Sequence, residues 1–149
     1  MARVWVGCQD DDVGQVDGKT DPLSEIDVIN TELALADLDS VEKAINKAQK
    51  VAKSGDKEAR TQLALLERVK AQLDEAKPVR AMGLDADERR RLYDLHLLTI
   101  KPTMYIANVS EEGFENNPLL DSVVRFAEEE GAPVVPVCAA IESEIAELD

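Results

Sequence analysis

The sequence predicts an α/β protein with a long helical hairpin set into it, and three observations carry that prediction. The chain is 44% hydrophobic but only 3% aromatic, so its core is built from Leu, Val, Ile and Ala, a palette that suits helices and parallel strands better than a β-sandwich. After Pro102 the pattern runs strand, helix, strand, the order that gives parallel pairing with a right-handed crossover. Between Pro22 and Ala76 two helical stripes are joined by a short Ser-Gly-Asp turn. The 149 residues amount to one domain's worth of chain.

Taken in order, Arg3 to Gly18 opens with a short strand (Arg-Val-Trp-Val) and runs into an acidic loop. Asp21-Pro22 and Ser24 supply helix-start signals, and Ile29, Leu33, Leu38, Val41, Ile45, Ala48 and Ala52 recur at helical spacing, the later ones in the 3-4-3-4 steps of a coiled-coil seam. Lys53-Ser54-Gly55-Asp56 then provides a basic last turn, a left-handed C-cap glycine and an aspartate N-cap. Ala59, Leu63, Leu66, Val69, Leu73 and Ala76 mark the second helix. Together they predict an antiparallel hairpin whose first arm is roughly 40 Å long at 1.5 Å per residue. Lys77-Pro78 ends it, and Asp85 to Leu98 reads as a further helix. Thr103 to Asn108 is an apolar strand, Asn117-Pro118 opens a helix that Gly131 stops, Val134 to Cys138 is a second buried-type strand, and an acidic helix follows from Ala139.

Charge divides along the same lines. The chain carries 31 acidic and 17 basic residues, a net −14, yet 13 of the basic residues lie between Lys43 and Arg91, where base outnumbers acid. A basic middle between acidic flanks implies two units with different partners. No apolar run approaches the length of a membrane span, and the start lacks the apolar stretch of a signal peptide. A cytoplasmic protein without membrane contact is the expectation. Cys8 and Cys138 are too few to form a disulfide framework and are expected to be reduced, partly buried thiols.

Ligands of parallel α/β sheets sit beyond the strand C-termini, which points to the loops Asn108 to Glu115 and Cys138 to Glu142. The strings Asp27 to Ile45, Leu98 to Pro118 and Val134 to Asp149 closely resemble the YchF family of Obg-related P-loop ATPases/GTPases, of the TRAFAC class. The resemblance implies the C-terminal half of a P-loop G domain with an inserted coiled-coil hairpin: residues 1–21 as first strand and acidic loop, 22–84 as hairpin, 85–149 as the base-binding half. It assigns Asn108, Val109, Ser110 and Glu111 to the base-specificity loop, where most GTPases have Asn-Lys-x-Asp, and Cys138, Ala139 and Ala140 to the second base-facing loop. An Asp there accepts two N–H donors from guanine, whereas adenine offers one exocyclic donor. A longer glutamate loosens guanine selection, in keeping with a family that accepts ATP.

By spacing alone, Asn-x-x-Glu after a strand reads as a helix start or loop brace ahead of a base contact. Cys138 reads as a small buried residue rather than a nucleophile, since no activating partner adjoins it in sequence, and His96 as a packed or half-exposed residue. Asp11-Asp12-Val13-Gly14 imitates a switch motif, Asn46-Lys47 a base motif, and the Asp10 to Asp21 cluster a calcium loop whose register fails. No metal site is expected. Near the start, Val6-Gly7-Cys8-Gln9 departs from the Val-Arg-Cys-Phe usual in the family.

The sequence contains no G-x-x-x-x-G-K-[ST], so nothing in it cradles phosphates or places a hydroxyl on Mg²⁺. It also stops where the family continues into a TGS domain. The reading is an internal segment of a ribosome-associated ATP/GTP-binding protein that, at full length, binds and hydrolyses purine nucleotide with Mg²⁺. The segment alone is expected neither to hydrolyse nor to hold the nucleotide. Lys43, Lys47, Lys50, Lys53, Lys57 and Arg60 form a basic face around the hairpin tip, readable as a solvated surface or as a contact for RNA phosphates. The competing reading is a helical RNA- or protein-interaction module with no nucleotide role. The first strand's exposed edge is expected to favour self-association.

Overall fold

The computed structural model describes residues 2–8 and 21–148. The acidic loop, with the switch-like and calcium-like patterns dismissed above, lies largely outside them. The chain forms two compact units: the described parts of Met1–Val28 with Pro102–Asp149, and Ile29–Lys101.

In the first unit, β1 (Ala2–Gly7), β2 (Thr103–Asn108) and β3 (Val134–Val137) form a sheet in the order β1-β2-β3. Both pairings are parallel, with Val4 opposite Tyr105 and Tyr105 opposite Val134; the strand–helix–strand order after Pro102 predicts the β2–β3 pairing. Strand alternation decides what is buried. Val4, Val6, Tyr105 and Ala107 are buried, on the side of α4 (Pro118–Glu130), where the Tyr105 ring meets Phe126 edge-on at 5.9 Å. Trp5 and Val135, on the other pleat, are 57% and 40% exposed. Helix α4 buries Leu120, Val123 and Ala127 at helical spacing. It opens on Asn117 with Pro118 in its first turn and closes on Gly131 at φ +71, a conformation that costs a glycine little. A short helix, α5 (Ala139–Ala146), follows β3.

The second unit is helical. Helix α1 (Pro22–Ala52) runs for 31 residues, about 46 Å at 1.5 Å per residue, and starts at Pro22, where the Asp21 carboxylate accepts from the Leu23 N–H at 3.2 Å. Gly55 turns the chain at φ +91, and Asp56 caps α2 (Lys57–Asp74) by accepting from the Glu58 and Ala59 N–H groups at 2.8 and 3.3 Å. Val41 and Ile45 of α1 share a core with Leu65, Leu66, Val69 and Leu73 of α2, closed by Val79, Leu84, Leu92 and Leu97. The predicted stripe is shifted in part: Ala34 and Asp37 are buried, whereas Ile29 and Leu33 are only half-buried.

The helix predicted from Asp85 to Leu98 is shorter in the structure. It begins as expected, with Asp85 and Glu88 forming a reciprocal capping box, but α3 spans only Ala86–Leu92. A 3₁₀ turn, Tyr93–Leu95, and a left-handed His96 at φ +49 follow. The reason is a long-range competitor for the backbone. Asp37 accepts from the N–H groups of Leu98 and Thr99 at 2.7 and 2.8 Å, and from the Thr99 hydroxyl at 2.7 Å. Of these donors, the Leu98 N–H falls at the end of the predicted helix. Thr99 Oγ1 in turn accepts from the Val79 N–H at 3.2 Å, so this buried carboxylate is satisfied rather than stranded.

Candidate functional site

The three strands end in one row, Gly7 opposite Asn108 and Asn108 opposite Val137. Pairing carries one residue further on each side: the Cys8 N–H donates to the Asn108 carbonyl and the Val109 N–H to the Val137 carbonyl, both at 2.8 Å. The candidate site lies at this C-terminal edge, where crossover topology leaves loop backbone without a sheet neighbour.

Asn108 Oδ1 accepts from the Ala139 N–H at 3.1 Å, so the two loops singled out in the sequence meet through this side chain. Val109 is fully buried and anchors the loop from beneath, while Ser110 and Glu111 are exposed. The Gly113 N–H closes a turn onto the Ser110 carbonyl at 2.9 Å. A Cβ on Gly113 would lie 3.0 Å from Ser110 Oγ and 3.1 Å from its amide nitrogen, so a side chain there would push the turn open by a few tenths of an ångström. Cys138 is buried just before α5, and Ala139 and Ala140 are exposed on its first turn.

Two residues that sequence reasoning did not assign to the site complete its frame. Glu25, near the start of α1, accepts from the Gly7 N–H at 3.1 Å. Asn117, read from sequence only as a helix start, also donates from Nδ2 to the carbonyls of Cys8 at 2.9 Å and Gly113 at 3.0 Å. Its Asn-Pro signal gave the cap but not the reach to β1. The Cys8 thiol is pushed up to about 11, chiefly by burial and further by the nearby Glu25 carboxylate. A thiol so held is protonated at neutral pH and is a packing element, not a nucleophile.

For a purine nucleotide, the ligand that the family resemblance implies, the two ends differ. The exposed Glu111 carboxylate can accept from an N–H donor, and the neighbouring Ala139 and Ala140 are small and exposed. No residue of the sequence fits the phosphate and Mg²⁺ end, since the glycine-rich phosphate loop with its Lys and Ser/Thr is not among the 149 residues. Among the described residues, no cluster of three or more His, Cys, Asp or Glu is placed to hold a metal ion.

The basic residues lie in the helical unit. Lys43 pairs with Asp39 at 2.8 Å, a partner that holds its ammonium above the usual lysine range by hydrogen bond and charge. Lys47, Lys50, Lys53, Lys57 and Arg60 are exposed and make no ion pair among the described residues. Lys57 and Arg60 line a cleft of about 560 Å³ with Arg68 and Arg91, but these two arginines are engaged, Arg68 with Glu88 at 2.5 Å and Arg91 with Glu58 and Asp87 at 2.9 and 2.8 Å.

A parallel sheet, its crossover helix and a pair of tied loops at the strand ends define part of a P-loop α/β domain, here bearing a helical hairpin. The chain belongs to the YchF family. It is 60% identical over 141 residues to the "Ribosome-binding ATPase YchF" of Haemophilus influenzae, a match covering 95% of this chain and 39% of that protein. It is 41% identical over 143 residues to the protein of the same name from Bacillus subtilis, covering 94% and 39%. Its fold is similar to that of the Schizosaccharomyces pombe YchF GTPase, with a TM-score of 0.84 at 25% identity over 99% of this chain and 42% of that one. The chain thus spans about two fifths of the length of the curated relatives it matches. No family model matches it.

Proposed function

We propose that this chain forms the base-recognising part of an ATP/GTP-binding protein, with Asn108, Val109, Ser110 and Glu111 on one side of a purine and Cys138, Ala139 and Ala140 on the other. The observation that carries the reading is the Asn108–Ala139 hydrogen bond, which sets the two loops side by side. The relatives named above are called ribosome-binding ATPases. By that likeness the whole protein hydrolyses purine nucleotide with Mg²⁺ in the cytoplasm and works at the ribosome. The hairpin, within residues 22–84, is then the arm that meets RNA.

Because its sequence lacks phosphate-binding residues, the 149-residue chain should contact nucleosides only transiently, with a Kd above about 1 mM that is no weaker for adenosine than for ATP. Saturation-transfer NMR measures this. Binding that needs the triphosphate sinks the base-only reading, as does Mg²⁺-dependent turnover by the purified chain that Glu111→Ala removes.

The second reading, an interaction module with no nucleotide role, draws on the five exposed cations outside ion pairs. RNA binding through them should weaken steeply as salt rises, and affinity that survives high salt counts against phosphate contact. Self-association through the β1 edge belongs to the same proposal. Sedimentation should show a concentration-dependent dimer that Trp5→Lys weakens, and a monomer at every concentration removes it.

A further inference from the structure

We infer that Asn117 is the positioning residue of the 108–116 loop, an inference that rests on the base-recognition reading above for its meaning in nucleotide selection. A carboxamide has two N–H donors and one oxygen with two acceptor sites. Asn117 uses all four. Nδ2 donates to the carbonyls of Cys8 and Gly113 at 2.9 and 3.0 Å, and Oδ1 accepts from the N–H groups of Leu119 and Leu120 at 3.1 and 3.2 Å. One half-buried side chain therefore joins the end of β1, the middle of the loop and the start of α4.

No other residue type reproduces this set. Aspartate keeps the two accepted bonds at the helix start but has no donor, and it turns a negative oxygen toward two carbonyls. Serine caps a helix but offers a single donor on a shorter arm. Glutamine carries the amide on an extra methylene.

The loop depends on this brace because its other fixed point lies at its far end. Val109 is tied to β3 at the start of the loop. From there the chain passes through exposed Ser110, Glu111 and Glu112 to Asn116, which sits at φ +51, a conformation that asparagine tolerates better than most residues. Glu111 therefore stands on a span pinned by Val109 behind it and by the Asn117 bond to Gly113 ahead of it. Loosening the second pin lets the Glu111 carboxylate move while the sheet stays intact.

The test compares Asn117→Asp with Asn117→Ala in the 149-residue chain, following amide hydrogen exchange residue by residue and saturation transfer to adenosine and guanosine. Asn117→Asp should leave Leu119 and Leu120 as protected as before. It should speed exchange at Gly113, whose N–H closes the turn onto Ser110, by about tenfold, leave the sheet-paired Cys8 N–H unchanged, and change the adenosine-to-guanosine ratio. Asn117→Ala should speed exchange at Leu119 and Leu120 as well as at Gly113. Unchanged exchange at Gly113 in Asn117→Asp overturns the inference. Faster loop exchange with an unchanged nucleoside ratio leaves the brace standing and overturns base recognition by Glu111. A native chain that contacts neither nucleoside overturns the base reading outright, and the exchange rates alone then decide the brace. If Asn117→Ala fails to fold, Asn117→Asp, which keeps the helix cap, carries the test.

Discussion

The two units bury their apolar surface in different ways. The helical unit gathers one core from its own elements, with Val41 and Ile45 clustered with Leu66, Val69, Leu92 and Leu97. The sheet unit packs Val4, Val6, Tyr105 and Ala107 on the α4 side but leaves Trp5 57% and Val135 40% exposed on the other. A hairpin satisfies its backbone internally and needs only one stripe covered. Parallel sheets, by contrast, occur with both faces covered. The hairpin unit therefore draws one core from its own helices and leaves Leu35, Val51 and Tyr93 exposed outside it, whereas the sheet unit leaves one pleat partly open.

The comparison breaks first at the hairpin core. Leu66→Ala removes a side chain that is 1% exposed and should cost about 3 kcal/mol of hairpin stability. The chain's one tryptophan is Trp5, in the sheet unit, so its fluorescence reports on the sheet while far-ultraviolet circular dichroism is weighted toward the long helices. Denaturation followed by both probes should show a larger midpoint drop in the dichroism. Coincident drops mean that the units unfold together.

Next in size is Asp37→Ala, which leaves the Leu98 and Thr99 donors without their acceptor and should cost about 2 kcal/mol, read from the same dichroism transition. Asp37→Asn should recover part of that loss, since one oxygen remains.

A smaller effect sharpens the sheet side. The Cys8 thiol, raised by burial and Glu25 from an ordinary 9.0 to about 11, stays protonated in the fold at a pH where the unfolded chain has lost that proton. Between those values the folded state holds more protons, so stability must fall as pH rises. This contribution is fully present below pH 9 and lost by about 11. Cys8→Ser should flatten the decline in a fluorescence-monitored pH series. The smallest effect belongs to Asp39→Ala, which removes an exposed partner of Lys43 and should leave the melting temperature unchanged, as exposed ion pairs contribute little.

Local signals were legible wherever local chemistry decides the outcome. Gly55 and Asp56 turn and cap, Asn117 and Pro118 open α4, Gly131 ends it, and each reads directly from residue type. The parallel order followed from the crossover after Pro102, and the loops at the strand ends followed from the order. What the sequence hid were contacts across distance. Asp37 sits in a run, Leu38-Asp39-Ser40 following it, where an aspartate reads as solvated, and its acceptors matter only because Leu98 and Thr99 return to it. For the same reason the helix after Asp85 reads too long. In the site, Asn108 and Glu111 were legible through family resemblance, whereas the reach of Asn117 to Cys8, 109 positions away, leaves no trace in spacing.

The Asp37 latch also orders events in time. It joins positions 61 and 62 residues apart, and closing so long a loop carries an entropy cost that the four-residue turn between α1 and α2 does not. The arms of the hairpin can zip from Gly55 outward on local contacts, so the returning Leu98–Thr99 segment docks last and is the first to leave. Loss of the latch should therefore quicken unfolding while leaving the folding rate almost untouched. Stopped-flow measurements on Asp37→Asn would show this division as an unfolding limb displaced upward beside an unmoved folding limb.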